Sequence, residues 1–130
     1  MNSKKIIFEI GTEKFPAVLN ETKTAGIIYS HLPIKSSVRL WGKEIYFSVS
    51  VNIPLEDGKE IVEIGDIAYW PDGPAICIFF GPTPISKENE IRPYSKVCVI
   101  GSIDKDYISE LNKIKNGQQI NMKPLTNGGD

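Results

Sequence analysis

The run AICIFF, residues 75 to 80, constrains the fold more than any other stretch of this chain. In an extended strand successive side chains point to opposite faces, so Ile76, Ile78 and Phe80 share one side and Cys77 and Phe79 the other. Both sides are apolar, and a strand apolar on both faces must be covered on both. The run is also bracketed. Pro71-Asp72-Gly73 before it has turn chemistry, which makes AYW (68 to 70) its antiparallel partner across a short loop. GPTPIS after it carries two prolines two residues apart, which cannot continue a central ladder. The whole stretch AYWPDGPAICIFFGPTPIS therefore reads as a tightly packed hairpin first and as a pocket wall second.

Other strands follow from the same periodicity. Ile45, Phe47, Val49, Val51 and Ile53 alternate with Tyr46, Ser48 and Ser50, a strand with one inward face. Gly42-Lys43 marks a turn from a preceding strand over Val38 to Trp41. KKIIFEI (4 to 10) and KFPAVL (14 to 19) predict two strands around Gly11-Thr12, with Pro16 implying an edge or a bulge. Residues 66 to 70, SKVCVIGSI (95 to 103) and QQINMKP (118 to 124) complete the set. Two short helices are predicted. Asn20 caps the first, with Ala25, Ile28 and Leu32 on one stripe and Pro33 ending it. Asp104 opens the second, with Tyr107, Ile108, Leu111 and Ile114 on its buried face. In an all-β chain of this size the expected arrangement is a closed eight-stranded barrel with a helix packed outside.

The chain has 130 residues, the size of one domain, so residues 1 to 130 are read as one unit with 124 to 130 as a frayed tail. Its 15 Lys plus Arg balance 16 Asp plus Glu, for a net charge of −1. Such a balance supplies no broad field for phosphate backbones or anionic lipid, which argues against nucleic-acid and membrane partners. MNSKKIIFEIG is too short and too polar for a signal or a membrane span. Cys77 and Cys98 lie in apolar runs without CxxC spacing, as buried reduced thiols of a cytoplasmic protein do, and form no metal site. No cofactor is called for.

Three segments, VRLWGKEIYFSVSVNIP, VEIGDIAYWPDGPAICIFFGPTPIS and IRPYSKVCVIGSI, together resemble a prokaryotic family of small cyclophilin-like domains. The resemblance runs over about residues 35 to 104 and rests on LWG, the GD-AYWP-G turn and the IFFGPTP exit in that order. It implies the barrel fold and raises the question of prolyl isomerisation. Cyclophilins hold a proline in an apolar pocket and use an arginine, from an FxR…FxxQGGD run, to polarise its amide. That run is absent: Arg39, in VRLWG, has neither the flanking phenylalanine nor the downstream glutamine, and NGGD at 127 to 130 sits at the chain's end.

The candidate ligand-binding residues are Arg39, Trp41, Tyr69, Trp70, Phe80 and Arg92. Arg39 and Trp41 share a strand face opposite Val38 and Leu40. Tyr69, Trp70 and Phe80 flank the turn and the proline exit, where they either plug a barrel end or form a rim. Arg92 either pins its loop or faces a ligand. His31, the single histidine, suits the carbonyl end of the first helix. The expected function is binding of a small-molecule or peptide ligand in an apolar groove, with an arginine holding a carbonyl or carboxylate. A divergent prolyl isomerase or another small enzyme is the alternative, and homo-oligomerisation is left open.

Overall fold

A computed structural model describes residues 4–125, so the expectations placed on the two termini lie outside it. The chain is mainly β. Its strands run β1 Lys4–Ile10, β2 Glu13–Leu19, β3 Ile34–Ser37, β4 Arg39–Trp41, β5 Glu44–Ser48, β6 Asp66–Trp70, β7 Ala75–Phe79, β8 Cys98–Ile103 and β9 Gln119–Pro124. Two short helices, α1 Lys23–Ser30 and α2 Ile108–Leu111, interrupt them, α2 preceded by a 3-10 turn over Lys105–Tyr107.

The nine strands form one sheet in the order β3-β9-β1-β2-β8-β6-β7-β5-β4. Its two ends are consecutive in the chain, separated only by Val38. One extended segment, 34 to 41, thus pairs with β9 through its first half and with β5 through its second. Val38 donates its N–H to the Gln118 carbonyl (2.8 Å) and accepts from Gly117 (2.7 Å), so the seam is hydrogen-bonded. Counted as one bent strand, 34 to 41 brings the strand number to the expected eight in a nearly closed barrel.

The interior is filled by alternate residues of every wall. Ile6, Phe8, Ile45, Phe47, Ile67, Tyr69, Ile76, Ile78, Ile100 and Met122 all lie in one buried cluster. Pro16 is accommodated because β8 pairs with β2 only over Ala17–Leu19, leaving Pro16 without a second neighbour to receive an N–H. The long alternation of 45 to 53 leaves the ladder after Ser48. Val49, Val51 and Ile53 stay buried, but the Tyr69 hydroxyl takes over from the ladder, donating to the Val51 carbonyl (2.5 Å) and accepting from the Ile53 N–H (2.9 Å).

Ala25, Ile28, Leu111 and Ile114 belong to the same buried cluster as the barrel interior, so both helical segments pack onto that core. Thr22 caps α1 through its hydroxyl to the Ala25 N–H. Asn20 acts one step earlier, accepting from Thr22 and donating to the Val99 carbonyl. His31 closes α1, its Nδ1 2.8 Å from the Ile27 carbonyl, which makes Nδ1 the protonated nitrogen.

The doubly apolar β7 is covered on the outside by loop. Cys77, Phe79 and Ala68 pack there with Val62, Ile91 and Val97, and Tyr46, Trp70 and Val99 border them. Isolated bridges Lys59↔Val97 and Val62↔Ile91 tie the two covering segments to each other. The 83-to-92 turn is knotted by Thr83, Ser86 and Arg92: the Thr83 hydroxyl donates to the Arg92 carbonyl, and the Ser86 oxygen accepts from the Thr83 and Arg92 amides.

Candidate functional site

A pocket of about 240 Å³ opens where the outer face of β4, β5, β6 and β7 meets the 93-to-97 segment. Trp41, Glu44, Tyr46, Trp70, Cys77, Pro93, Tyr94 and Val97 line it. Strand register explains this set. Trp41 is opposite Glu44 and Tyr46 is opposite Cys77, and outward positions of neighbouring strands share one side. Trp70 ends β6 on the same side.

Tyr94 joins the two indoles. Its ring meets Trp41 edge-on at 5.8 Å between centroids and Trp70 at 5.9 Å, and the residue is 69% exposed. The segment carrying it is held by polar contacts at its base. The Trp70 indole N–H donates to the Ser95 hydroxyl (2.6 Å), which donates in turn to the Asp72 carboxylate (2.7 Å).

Glu44 is the pocket's one carboxyl group. It is only 5% exposed, and its Oε1 has no hydrogen-bond partner. Burial pushes its pKa up to about 7, with a contact from the Cys77 thiol pulling the other way. Burial, reinforced by that carboxylate, drives the Cys77 thiol well above its ordinary range, so it is no ready nucleophile. Buried acceptors almost always find a donor; Glu44 Oε1 is enclosed without one, while the Glu44 side chain as a whole borders the cavity, where a donor from outside can approach it.

Of the residues singled out from sequence, the structure brings Trp41 and Trp70 together across this pocket. Tyr69 and Phe80 are elsewhere, both in the barrel interior. Tyr69 is fully buried, and Phe80 lies beneath the Lys43 ammonium at 5.8 Å. Arg39 is exposed on β4 and does not line the pocket. Arg92 pairs with Glu90 (2.8 Å) and lies 3.9 Å from Glu60, pinning its loop. Together with Pro93 and Tyr94 it borders a shallower neighbouring depression of about 270 Å³.

Sequence reasoning passed over Glu44, Tyr46, Cys77 as a lining group, Pro93, Tyr94 and Val97. A signal for Glu44 did exist. It stands two residues before Tyr46 on the outer face of a strand that pairs with AICIFF, whose outer face requires cover. Among the described residues no three His, Cys, Asp or Glu side chains converge as a metal ion would need, and no helix is long and apolar enough to cross a membrane.

Comparison with known proteins adds the following. The family model described as Cyclophilin-like matches residues 4–123. The solution structure of the hypothetical protein AF2241 from Archaeoglobus fulgidus is similar, at 35% identity and a TM-score of 0.77, over 95% of each chain. The structure of McbB in complex with tryptophan superposes with a TM-score of 0.70 at 11% identity. It covers 95% of this chain and 45% of that one, a likeness of fold. No curated protein matches the chain.

Proposed function

The chain belongs to the cyclophilin-like family, and on that premise we propose that it is a binding domain that takes a small molecule, or a single side chain of a peptide, into the outer aromatic pocket. The observation that carries the reading is the convergence of Trp41, Trp70 and Tyr94 on a cavity bordered by the buried Glu44 side chain. Ligand sites combine apolar and aromatic walls with few polar groups that fix orientation, and this pocket has that balance. A volume of about 240 Å³ suits a compact occupant rather than an extended chain.

The polar anchor differs in sign from the arginine anticipated on sequence grounds. Arg39 and Arg92 stand outside the lining, and Glu44 takes the anchoring place. Polarising a prolyl amide with a guanidinium needs an arginine against the substrate, which this lining does not supply, so no observation favours the isomerase alternative.

A small-molecule fragment screen read by the indole N–H resonances of Trp41 and Trp70 tests the proposal. Hits are expected to move both resonances together and to lose at least about fivefold in affinity in Trp41→Ala, since a buried aromatic contact contributes about 1 kcal/mol or more. Hits that move neither resonance, or affinities indifferent to Trp41→Ala, would overturn it.

A further inference from the structure

Taking the aromatic pocket as a ligand site, we infer that its occupant carries a protonated amine, seated against the Glu44 carboxylate and ringed by Trp41, Trp70 and Tyr94. Three observations converge on this class. The lining holds a carboxyl group and no lysine or arginine. The Glu44 side chain borders the cavity, and in its ionised form a carboxylate only accepts, so a ligand that partners it must bring a hydrogen to donate. The walls are two indoles and two phenols, the ring types that best attract a cation over their faces once water is excluded.

Two nearby cations are engaged away from the cavity. Lys43, adjacent to Glu44 in sequence, donates to the Asn112 side chain at 2.5 Å and lies over Phe80. Arg92, adjacent to Pro93, is held by Glu90. An anionic ligand would meet the Glu44 carboxylate unscreened. A neutral carbonyl ligand would need Glu44 protonated in order to receive its proton, and that requirement has the opposite pH signature.

The signature follows from the site's chemistry. The titratable groups facing Glu44 are Cys77 from β7, Tyr46 from its own strand and Tyr94 from the covering segment. With the cavity empty, burial favours the protonated carboxyl of Glu44. An ammonium ligand favours the carboxylate, so its binding below neutrality expels a proton. Apparent affinity then rises by about tenfold per pH unit up to neutrality and levels off above it.

The test titrates the intact protein with 2-phenylethylamine, its neutral isostere 2-phenylethanol and the acid 3-phenylpropionate between pH 5.5 and 8, following the two indole resonances. The amine is expected to bind at least about tenfold tighter than the alcohol at pH 8 and to weaken roughly thirtyfold by pH 5.5. In Glu44→Gln both the preference for the amine and the pH slope should vanish. The wild-type pH profile decides the matter even without the variant. Equal binding of alcohol or acid at pH 8, a flat amine profile, or screen hits confined to acids and neutral acceptors would overturn the amine assignment and leave the pocket standing. If no compound of either set moves the Trp41 and Trp70 signals, the pocket reading falls as well.

Discussion

Glu44 sets a pH dependence of folding stability. Its carboxyl titrates at about 7 in the folded protein against an ordinary value of 4.5, because burial disfavours its charge. The folded state therefore holds this proton more tightly than the unfolded chain does. The associated stability is complete below about pH 4.5 and is lost as pH rises through about 7, a decline on the order of 3 kcal/mol by pH 8. Glu9, Glu56 and Glu90 are shifted down instead by their hydrogen-bond partners, so their effects fall in the acid range below this window. Urea titrations at pH 5, 6, 7 and 8 should show wild-type stability falling. Glu44→Gln should be nearly flat and more stable than wild type at pH 8. A wild-type profile that does not fall over this window would mean that Glu44 is well solvated. Tyr69 makes a different point at the same scale. Seen in AYW beside a turn it suits a rim, yet its hydroxyl serves two backbone groups of the 51-to-53 segment across the core. Which end of a tyrosine is used depends on what the fold places opposite it.

Among the elements, β8 shows how a strand depends on one missing side chain. Gly101 lies opposite Leu19 on β2 and near Ile67 on β6, where the β6–β8 register shifts. A Cβ there would collide with the Val18 carbonyl oxygen and stand 2.9 Å from the Leu19 Cα, both backbone atoms that cannot swing aside. Gly101→Ala should therefore destabilise the domain by more than about 2 kcal/mol, as other overpacked core positions do, with a matching fall in thermal midpoint. A variant within about 0.5 kcal/mol of wild type would show that β2 and β8 can separate at no cost. The covering segment has a looser construction. It crosses the outer face through two isolated bridges and the Trp70–Ser95–Asp72 chain rather than through a continuous ladder. Elements of that kind are where local opening takes least free energy.

At the level of the whole molecule, closure depends on one extended segment that serves both ends of the sheet. Val38 is its hinge, buried at 1% exposure and bonded through N–H and carbonyl to the 117-to-118 turn. Val38→Pro removes the seam donor and swaps the buried isopropyl group for a ring tied back to the backbone nitrogen, and should cost about 3 kcal/mol or more by chemical denaturation. Hydrogen exchange should quicken first in β3, β4 and β9. Retention of wild-type stability would show that the barrel is held without this seam.

Most of the barrel was legible in the chain, because period-two alternation, proline exits and glycine turns act over a few residues and report directly on backbone geometry. The two apolar faces of AICIFF foretold two layers of cover, and LWG and AYWP foretold two of the pocket's aromatic walls. What the sequence could not disclose is which distant groups meet. Tyr94, from an exposed-looking RPYS, completes the aromatic trio only because Ser95 docks on Trp70. Glu44, from a turn-like GKE, is a buried acid on β5 that shares the pocket lining with Pro93, Tyr94 and Val97. Local periodicity decides which way a side chain points. What waits there, water or a covering loop, is decided by contacts between residues far apart in the chain, and that choice turns a glutamate that reads as exposed into a buried acid.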